Sequence, residues 1–276
     1  MKLYLINLDR SADRLAWFRK QIEGMYIDLV RVPAVDAREL PDAELERLRG
    51  LSSGRNSLSA GEIGCFLSHR KVWEMVVAEN APWAFIAEDD IHFSSDAGNF
   101  LRSHEWIPAG TDIVKGEATL KRVEMGHVVE ATPFGHELRR LISYHFCAGG
   151  YFVTPRTARR LLAATERNCE PVDEIIFSPK YGILGELHAL QLVPAICMQH
   201  NLVFGSSADE QMASTLETDR VSFHRHDPRS PRLRGWGKIP RELGRVGRQI
   251  AVSVRRAALL ATGRLIFRTV PFSPRG

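Results

Sequence analysis

The sequence lacks most of the patterns that identify common enzyme classes. Its four cysteines lie far apart and form no C-x-x-C pair, which argues against a zinc knuckle and against a disulfide scaffold. It contains no run of eighteen apolar residues, so we expect no helix that spans a membrane. It also contains no glycine-rich phosphate loop, no G-x-S-x-G and no H-E-x-x-H, so the common nucleotide-hydrolase, serine-hydrolase and zinc-protease functions lack support.

The composition that is present is ordinary for a globular protein. The 276 residues are 44% apolar and 25% charged, which excludes collagen-like and disordered chains, and the length suits either one large domain or a domain plus an appendage. The first ten residues include a short apolar run but not the small-residue cleavage site of a signal peptide. Together with the dispersed cysteines, this predicts a cytoplasmic protein.

The positive charge is concentrated in a C-terminal tail. Residues 225–276 hold 13 of the 37 Lys and Arg but only 2 of the 33 Asp and Glu, so the tail carries +11 and the rest of the chain −7. Between residues 244 and 267, apolar residues at helical spacing alternate with arginines, which is typical of a basic amphipathic helix. Such a helix favours an anionic membrane surface, although a terminal helix packed on the protein's own core fits the pattern too. Nucleic acid is disfavoured as a partner, because no helix-turn-helix, RNA-binding or zinc signature is present.

Helix and strand patterns alternate as far as about residue 200, which predicts an α/β sheet with helices on both sides. We therefore divide the chain into a domain of residues 1–207 and a basic C-terminal extension of residues 208–276. Residues 3–7 are predicted as a buried strand, followed by a helix capped by Ser11. Residues 190–198 are predicted as a late apolar strand.

The clearest local signals surround a long helix and the strands near it. Ser59 and Glu62 fit a capping box, and the helix that it opens should run to about Glu79. Residues 83–87 are all apolar, as in a central strand buried on both faces. Residues 148–153 form a strand whose glycines indicate a close approach of backbone to another group.

Three consecutive carboxylates follow that central strand: Glu88, Asp89 and Asp90. Holding like charges together is costly because each raises the pKa of the others, and a divalent cation such as Mg²⁺ or Mn²⁺ removes the cost. Open α/β sheets bind ligands beyond the carboxyl ends of their strands, so the position also favours a metal site. The alternative is a solvated loop whose acids cap a following turn.

Basic residues near the first strand suggest a phosphate site. Arg10 and Arg14 lie just after Asn7, and arginines at a strand end can hold phosphate by paired hydrogen bonds. Lys115 follows another short apolar run and is a similar candidate. Ordinary surface charges would give the same pattern.

Three further residues are candidates for chemistry. Asp173 falls in the first turn of a helix predicted after Pro171, where it could act as a general base or simply cap the helix. His69 lies in the middle of the long helix, where a buried core histidine is the ordinary interpretation. His200 ends the last core strand, where it could act as a metal ligand.

Taken together, these segments resemble glycosyltransferase family 25, which includes lipooligosaccharide galactosyltransferases. The resemblance is carried by residues 5–10 (Leu-Ile-Asn-Leu-Asp-Arg) with Arg14, 58–69 (Leu-Ser-Ala-Gly-Glu-Ile-Gly-Cys-Phe-Leu-Ser-His) with Trp73, and 87–91 (Ala-Glu-Asp-Asp-Ile). It continues through Gly150-Tyr151, Pro171-Val172-Asp173 and Pro194 to Gln199, and it covers about residues 1–207.

The resemblance implies a GT-A-like, Rossmann-like mixed sheet flanked by helices, a sugar-nucleotide donor and inversion at the sugar carbon. It implies transfer of a hexose, galactose from UDP-galactose, to a lipooligosaccharide or lipopolysaccharide core at the inner face of the cytoplasmic membrane. Asp90 would be the main metal ligand with Glu88 and His200, and Asp173 would take the proton from the acceptor hydroxyl. The nucleotide would be bound by polar and charged side chains, namely Asn7, Arg10, Arg14 and Asp89, with Glu62, Ser68 and His69 as further candidates.

Two other functions use the same residues. A non-catalytic protein that binds a sugar nucleotide or a lipid would need the pocket but no base. A metal-dependent phosphotransferase or nucleotidyltransferase would use the same acids but release nucleoside monophosphate.

Overall fold

The architecture was obtained as a computed structural model, which describes residues 1–52, 58–179, 182–205 and 264–275. The strands are β1 Lys2–Asn7, β2 Asp28–Pro33, β3 Ala84–Glu88, β4 Ile91–Phe93, β5 Ile113–Lys115, β6 Glu117–Ala118, β7 Arg122–Ala131, β8 Glu137–Leu141, β9 Gly150–Val153, β10 Ala189–Val193, β11 Cys197–Gln199 and β12 Leu265–Thr269. The helices are α1 Ala12–Gln21, α2 Asp42–Arg49, α3 Ala60–Glu79, α4 Ala97–Arg102, α5 Pro155–Ala164, α6 Val172–Phe177 and α7 His200–Phe204.

In the described residues, a mixed sheet has the order β12-β7-β8-β10-β5-β9-β3-β1-β2, and a smaller sheet has the order β4-β11-β6. Strand β1 pairs in parallel with both β2 and β3, and Ile6 lies opposite Glu88. The carboxyl ends of β1 and β3 therefore meet at one edge of the sheet, where ligands of α/β proteins usually bind. The predicted mixed α/β fold with flanking helices is confirmed.

Apolar side chains pack on both faces of the central strands. In β1 and β3, Leu3, Leu5 and Phe85 belong to one hydrophobic core, and Tyr4 and Ile86 belong to the other. Since successive residues of a strand point to opposite faces, a strand buried on both faces must be apolar throughout, as residues 83–87 are.

Several local predictions are confirmed. Ser59 and Glu62 form the full capping box at the start of α3, which ends at Glu79 as expected. A Cβ on Gly150 would overlap with Sγ of Cys197, which explains the glycine predicted to mark a close approach. Ser11 does precede α1, but its side chain makes no capping hydrogen bond within the described structure.

The single strand predicted over residues 190–198 is wrong. The segment forms β10 and β11, which belong to different sheets. The chain turns between them at Pro194, whose peptide bond with Val193 is cis. A proline cannot donate to a sheet ladder, so the break follows from a residue inside the apolar run.

The last described segment of the chain belongs to the main sheet. Strand β12 pairs antiparallel with β7, and the backbone N–H of Ala195 donates to the carbonyl of Pro271 at 2.8 Å. The prediction that an amphipathic helix extends to residue 267 is therefore wrong at the C-terminal end, where residues 265–269 form β12. Residues 206–263, which hold most of that segment, lie outside the described residues, so the boundary at 207 stays a prediction. Within the described part, none of the helices has the length and apolar character needed to cross a bilayer.

Candidate functional site

A pocket opens at the edge of the sheet where β1 and β3 end. The loop after β2 and the first turns of α3 close its other side, and they approach so tightly that a Cβ on Gly64 would lie 2.6 Å from the carbonyl of Val35. The pocket is lined by Ile6, Leu8, Arg10, Arg14, Ala34, Val35, Asp36, Ala37, Arg38, Ala60, Gly61, Gly64, Cys65, Ser68, Glu88, Asp89 and Asp90. It therefore brings together the acidic triplet and the arginines that the sequence singled out.

Asp89 joins the two strand ends. Its Oδ2 accepts a hydrogen bond of 2.7 Å from Nδ2 of Asn7, and its Oδ1 accepts one of 3.1 Å from the guanidinium of Arg14. Burial raises the pKa of Asp89 above its usual value, and these two donors oppose the rise. Asn7 and Arg14 thus hold the side chain of Asp89 in place.

Glu88 is held by a chain of buried side chains. Its Oε1 lies 3.2 Å from Nε2 of His69 and 3.6 Å from Sγ of Cys65, and Nε2 of Gln199 donates to its Oε2 at 3.0 Å. Burial raises the pKa of Glu88, but these hydrogen bonds outweigh burial and the pKa lies below its usual value. His69 lies behind Glu88 and is fully buried, so it supports the pocket rather than lining it.

The strongest indication that this pocket suits a cation comes from Asp90. Its Oδ1 is buried and has no hydrogen-bond partner among the described residues. Burial, together with the charges of Glu88 and Asp89, raises the pKa of Asp90 well above its usual value. A hard divalent cation would supply the partner and the positive charge that this carboxylate lacks, so the residues fit such a group.

His200 lies next to the triplet through its backbone. Its N–H donates to the carbonyl of Asp90 at 2.8 Å, while its Nδ1 lies 2.9 Å from Nε2 of His92. Burial, together with the charge of His200, lowers the pKa of His92 to about 4. Metal ligation by His200 stays a prediction.

Asp173 lies in the first turn of α6, as expected. Its Oδ2 accepts hydrogen bonds from the hydroxyl of Tyr144 at 2.6 Å and from the backbone N–H of Cys147 at 3.0 Å. Burial raises the pKa of the Cys65 thiol, which lines the pocket, and the charge of Asp173 contributes to the same rise, but Asp173 is not among the residues that line the pocket.

The structure places Lys115 in the core, away from the lining of the pocket. Its Nζ is fully buried and contacts three consecutive backbone carbonyls, those of His145, Phe146 and Cys147. The ammonium also lies 3.4 Å from the carboxylate of Glu117. Lys115 therefore stabilises a loop, and the described structure gives no support for its predicted contact with a nucleotide.

Glu62 and Ser68 hold the pocket wall in shape. The carboxylate of Glu62 caps α3 by accepting from the N–H of Ser59 at 2.9 Å. Oγ of Ser68 accepts from the N–H of Val35 at 2.8 Å, which ties α3 to the loop after β2. Their predicted roles in nucleotide binding stay predictions.

Sequence reasoning missed Tyr151, Tyr144 and Gln199 as parts of the site. Tyr151 lies on β9 and reaches His69 from the neighbouring strand, and Gln199 reaches Glu88 from the second sheet. Their separations of 82 and 111 residues along the chain leave no local signal.

Comparison with known proteins gives a consistent family. The model described as "Glycosyltransferase family 25 (LPS biosynthesis protein)" matches residues 1–176. The lacto-N-neotetraose biosynthesis glycosyltransferase LgtE of Neisseria meningitidis serogroup B is 30% identical over 267 residues, which cover 90% of this chain and 91% of the relative. The corresponding LgtB is 27% identical over 266 residues, with coverage of 90% and 94%.

Two further matches are less extensive. A "Glycosyltransferase 25 family member" of Aedes aegypti is 31% identical over 188 residues, and the aligned part is 63% of this chain but only 30% of that protein. Among solved structures, a glycosyltransferase involved in the glycosylation of the major capsid of PBCV-1 aligns with a TM-score of 0.42 at 8% identity, covering 80% of this chain and 97% of that one.

Proposed function

Because the chain belongs to glycosyltransferase family 25, we propose that it is an inverting, metal-dependent hexosyltransferase with a GT-A-like fold. The proposed donor is UDP-galactose, and the proposed acceptor is the saccharide core of a lipooligosaccharide or lipopolysaccharide. The names of the relatives from Neisseria, which refer to lacto-N-neotetraose biosynthesis, support a saccharide acceptor.

The observation that carries this proposal is the buried carboxylate of Asp90 beside two further acids on the wall of a pocket that also contains Arg10 and Arg14. The pocket thus combines carboxylates, which bind divalent cations, with arginines, which bind phosphate. This combination fits a nucleoside diphosphate with Mn²⁺ or Mg²⁺. Asp90 and Glu88 would hold the cation, with His200 as a third candidate ligand. When bound, the cation would offset the charge that develops on the diphosphate leaving group.

The chain's own residues then bind and orient the substrates. Asn7 and Arg14 fix Asp89, and Arg10 and Arg14, which line the same pocket as the acids, would bind the phosphates. Asp173 would take the proton of the acceptor hydroxyl as that oxygen attacks the anomeric carbon from the side opposite the diphosphate. Attack from the opposite side inverts the configuration at that carbon.

The test is a transfer assay with purified full-length protein, a panel of UDP-sugars, Mn²⁺ and a soluble saccharide acceptor. We expect galactose transfer with inverted configuration and release of UDP, which stops when a chelator is added. Binding of UDP with no turnover of any donor would instead favour a non-catalytic binding protein. Release of nucleoside monophosphate without sugar transfer would favour a phosphotransferase or nucleotidyltransferase.

We further propose that the basic segment of the tail holds the enzyme at the inner face of the cytoplasmic membrane. Deleting the tail would remove β12 from the main sheet, so the test variant keeps the whole chain and changes only its charge. In this variant Gln replaces Arg245, Arg248, Arg255 and Arg256. Binding to anionic vesicles should fall while transfer to a soluble acceptor is kept. Equal vesicle binding by the variant and the unmodified protein would contradict the membrane role.

A further inference from the structure

The carboxylate of Asp173 is hydrogen-bonded unequally. Oδ2 accepts from the Tyr144 hydroxyl at 2.6 Å and from the Cys147 N–H at 3.0 Å, whereas Oδ1 accepts only from the N–H of Glu174, also at 3.0 Å, among the described residues. Each carboxylate oxygen offers about two lone-pair sites. Oδ2 is therefore filled, and Oδ1 keeps one site open.

The loop that supplies these donors is fixed from inside the protein. Cys147 has a φ of +66°, a left-handed conformation that is unfavourable for a residue with a side chain. The ammonium of Lys115 compensates by contacting the carbonyls of residues 145, 146 and 147 together. The same ammonium lies 4.1 Å from the centre of the Phe177 ring, which is one helical turn beyond Asp173 in α6.

Lys115 thus contacts both elements that determine where Asp173 points, the loop and the helix. Tyr144 completes the arrangement from the outside, since its residue is 39% exposed. The side chain of Tyr144 can therefore be shortened by one oxygen without opening a buried cavity.

We propose that Tyr144 and the loop anchored by Lys115 are positioning residues that direct Oδ1 of Asp173 to the acceptor hydroxyl. This inference rests on the proposed function. The acceptor O–H bond breaks as its oxygen bonds to the anomeric carbon, and the proton passes to Oδ1. The bond from that carbon to the diphosphate oxygen breaks at the same time, and its electron pair leaves with the diphosphate.

The experiment compares Tyr144→Phe, Asp173→Asn and the exposed control Tyr26→Phe with the unmodified protein, using UDP-galactose, Mn²⁺ and a soluble saccharide acceptor. Tyr144→Phe should lower kcat about 10- to 100-fold, the typical effect of a hydrogen bond to a charged group, and leave KM for the donor unchanged. Asp173→Asn should abolish transfer, and Tyr26→Phe should have no effect.

The split between kcat and KM separates positioning from a general structural role. A hydrogen bond that positions the base acts in the transition state, so its loss lowers kcat and leaves the binding of the donor as before. A general distortion of the site would raise KM for the donor as well.

Each outcome is decisive. A Tyr144→Phe variant with unchanged kcat, or with a KM for the donor that rises as much as kcat falls, would overturn the inference while Asp173→Asn remained inactive. An active Asp173→Asn variant would instead contradict the role of Asp173 in the proposed function, and the inference would fall with it.

Discussion

The hydroxyl of Tyr151 lies 2.9 Å from Nδ1 of His69, and this contact determines which ring nitrogen of His69 faces the acidic triplet. The Tyr151 oxygen also accepts a hydrogen bond of 2.8 Å from the indole N–H of Trp73, so its own hydrogen is available to Nδ1. That arrangement makes Nδ1 the acceptor and Nε2 the N–H donor to Glu88. The three buried rings therefore orient one carboxylate of the pocket.

We predict that Tyr151→Phe weakens Mn²⁺ binding about tenfold or more. Removing the hydroxyl frees the ring of His69 to change its protonated nitrogen, and loss of such supporting hydrogen bonds typically costs 10- to 100-fold in metal affinity. Calorimetric titration with Mn²⁺ in the presence of UDP measures the effect.

The matched control is Tyr4→Phe, which removes the hydroxyl of another buried tyrosine, on β1. Both variants should lose some thermal stability, but only Tyr151→Phe should lose metal affinity. Equal Mn²⁺ affinity in the two variants would show that Tyr151 does not orient Glu88.

A substitution of Arg10 tests whether the arginines of the pocket bind the phosphates of the donor. Its guanidinium pairs with Asp36 and is 44% exposed, so Arg10→Ala should remove a donor without unfolding the protein. We predict that KM for the UDP-sugar rises about tenfold, the lower end for a charge-assisted hydrogen bond, with little change in kcat.

Arg19→Ala is the corresponding control, because Arg19 is exposed in the last turn of α1. The same KM for the donor in both variants would mean that Arg10 does not contact the nucleotide.

The buried carboxyl group of Glu117 should make the free energy of unfolding depend on pH. It is fully buried, and burial raises its pKa from 4.5 to about 7, although Lys115 opposes the shift. Between these two values the folded state binds more protons than the unfolded state, so the free energy of unfolding falls as pH rises, by about 3 kcal/mol in total. Glu117→Gln cannot titrate and should lack this part of the decline.

Urea unfolding of both proteins at pH 5 and pH 8 measures the difference. The unmodified protein should lose more stability between the two values than Glu117→Gln, whatever their absolute stabilities. Parallel losses would contradict a raised pKa for Glu117.

The parts of the fold that could be predicted from sequence are those with local signals. The capping box at Ser59 fixes the start of α3 by hydrogen bonds within four residues, and the apolar run at residues 83–87 identifies β3 by burial alone. The position of the acidic triplet follows directly, because it continues the same strand.

Contacts between distant segments could not be predicted in this way. The pairing of β12 with β7 joins residues about 140 apart, and each strand alone has no unique partner. Lys115 shows the same difficulty for the site. A lysine at the end of a short strand usually reaches solvent, but Lys115 is buried because it contacts the loop of residues 145–147, which is distant in the sequence.

The central claim is that Asp90 and its neighbours hold a divalent cation against a nucleoside diphosphate. The most direct test is calorimetric titration of UDP into the unmodified protein and Asp90→Asn, each with Mn²⁺ and with a chelator. We predict that Mn²⁺ strengthens UDP binding to the unmodified protein about tenfold or more and has no such effect on Asp90→Asn. In the presence of chelator, the Tm of Asp90→Asn should be no lower than that of the unmodified protein, because the substitution removes a buried carboxylate that is repelled by two others. Equal strengthening of UDP binding by Mn²⁺ in the two proteins would contradict the account.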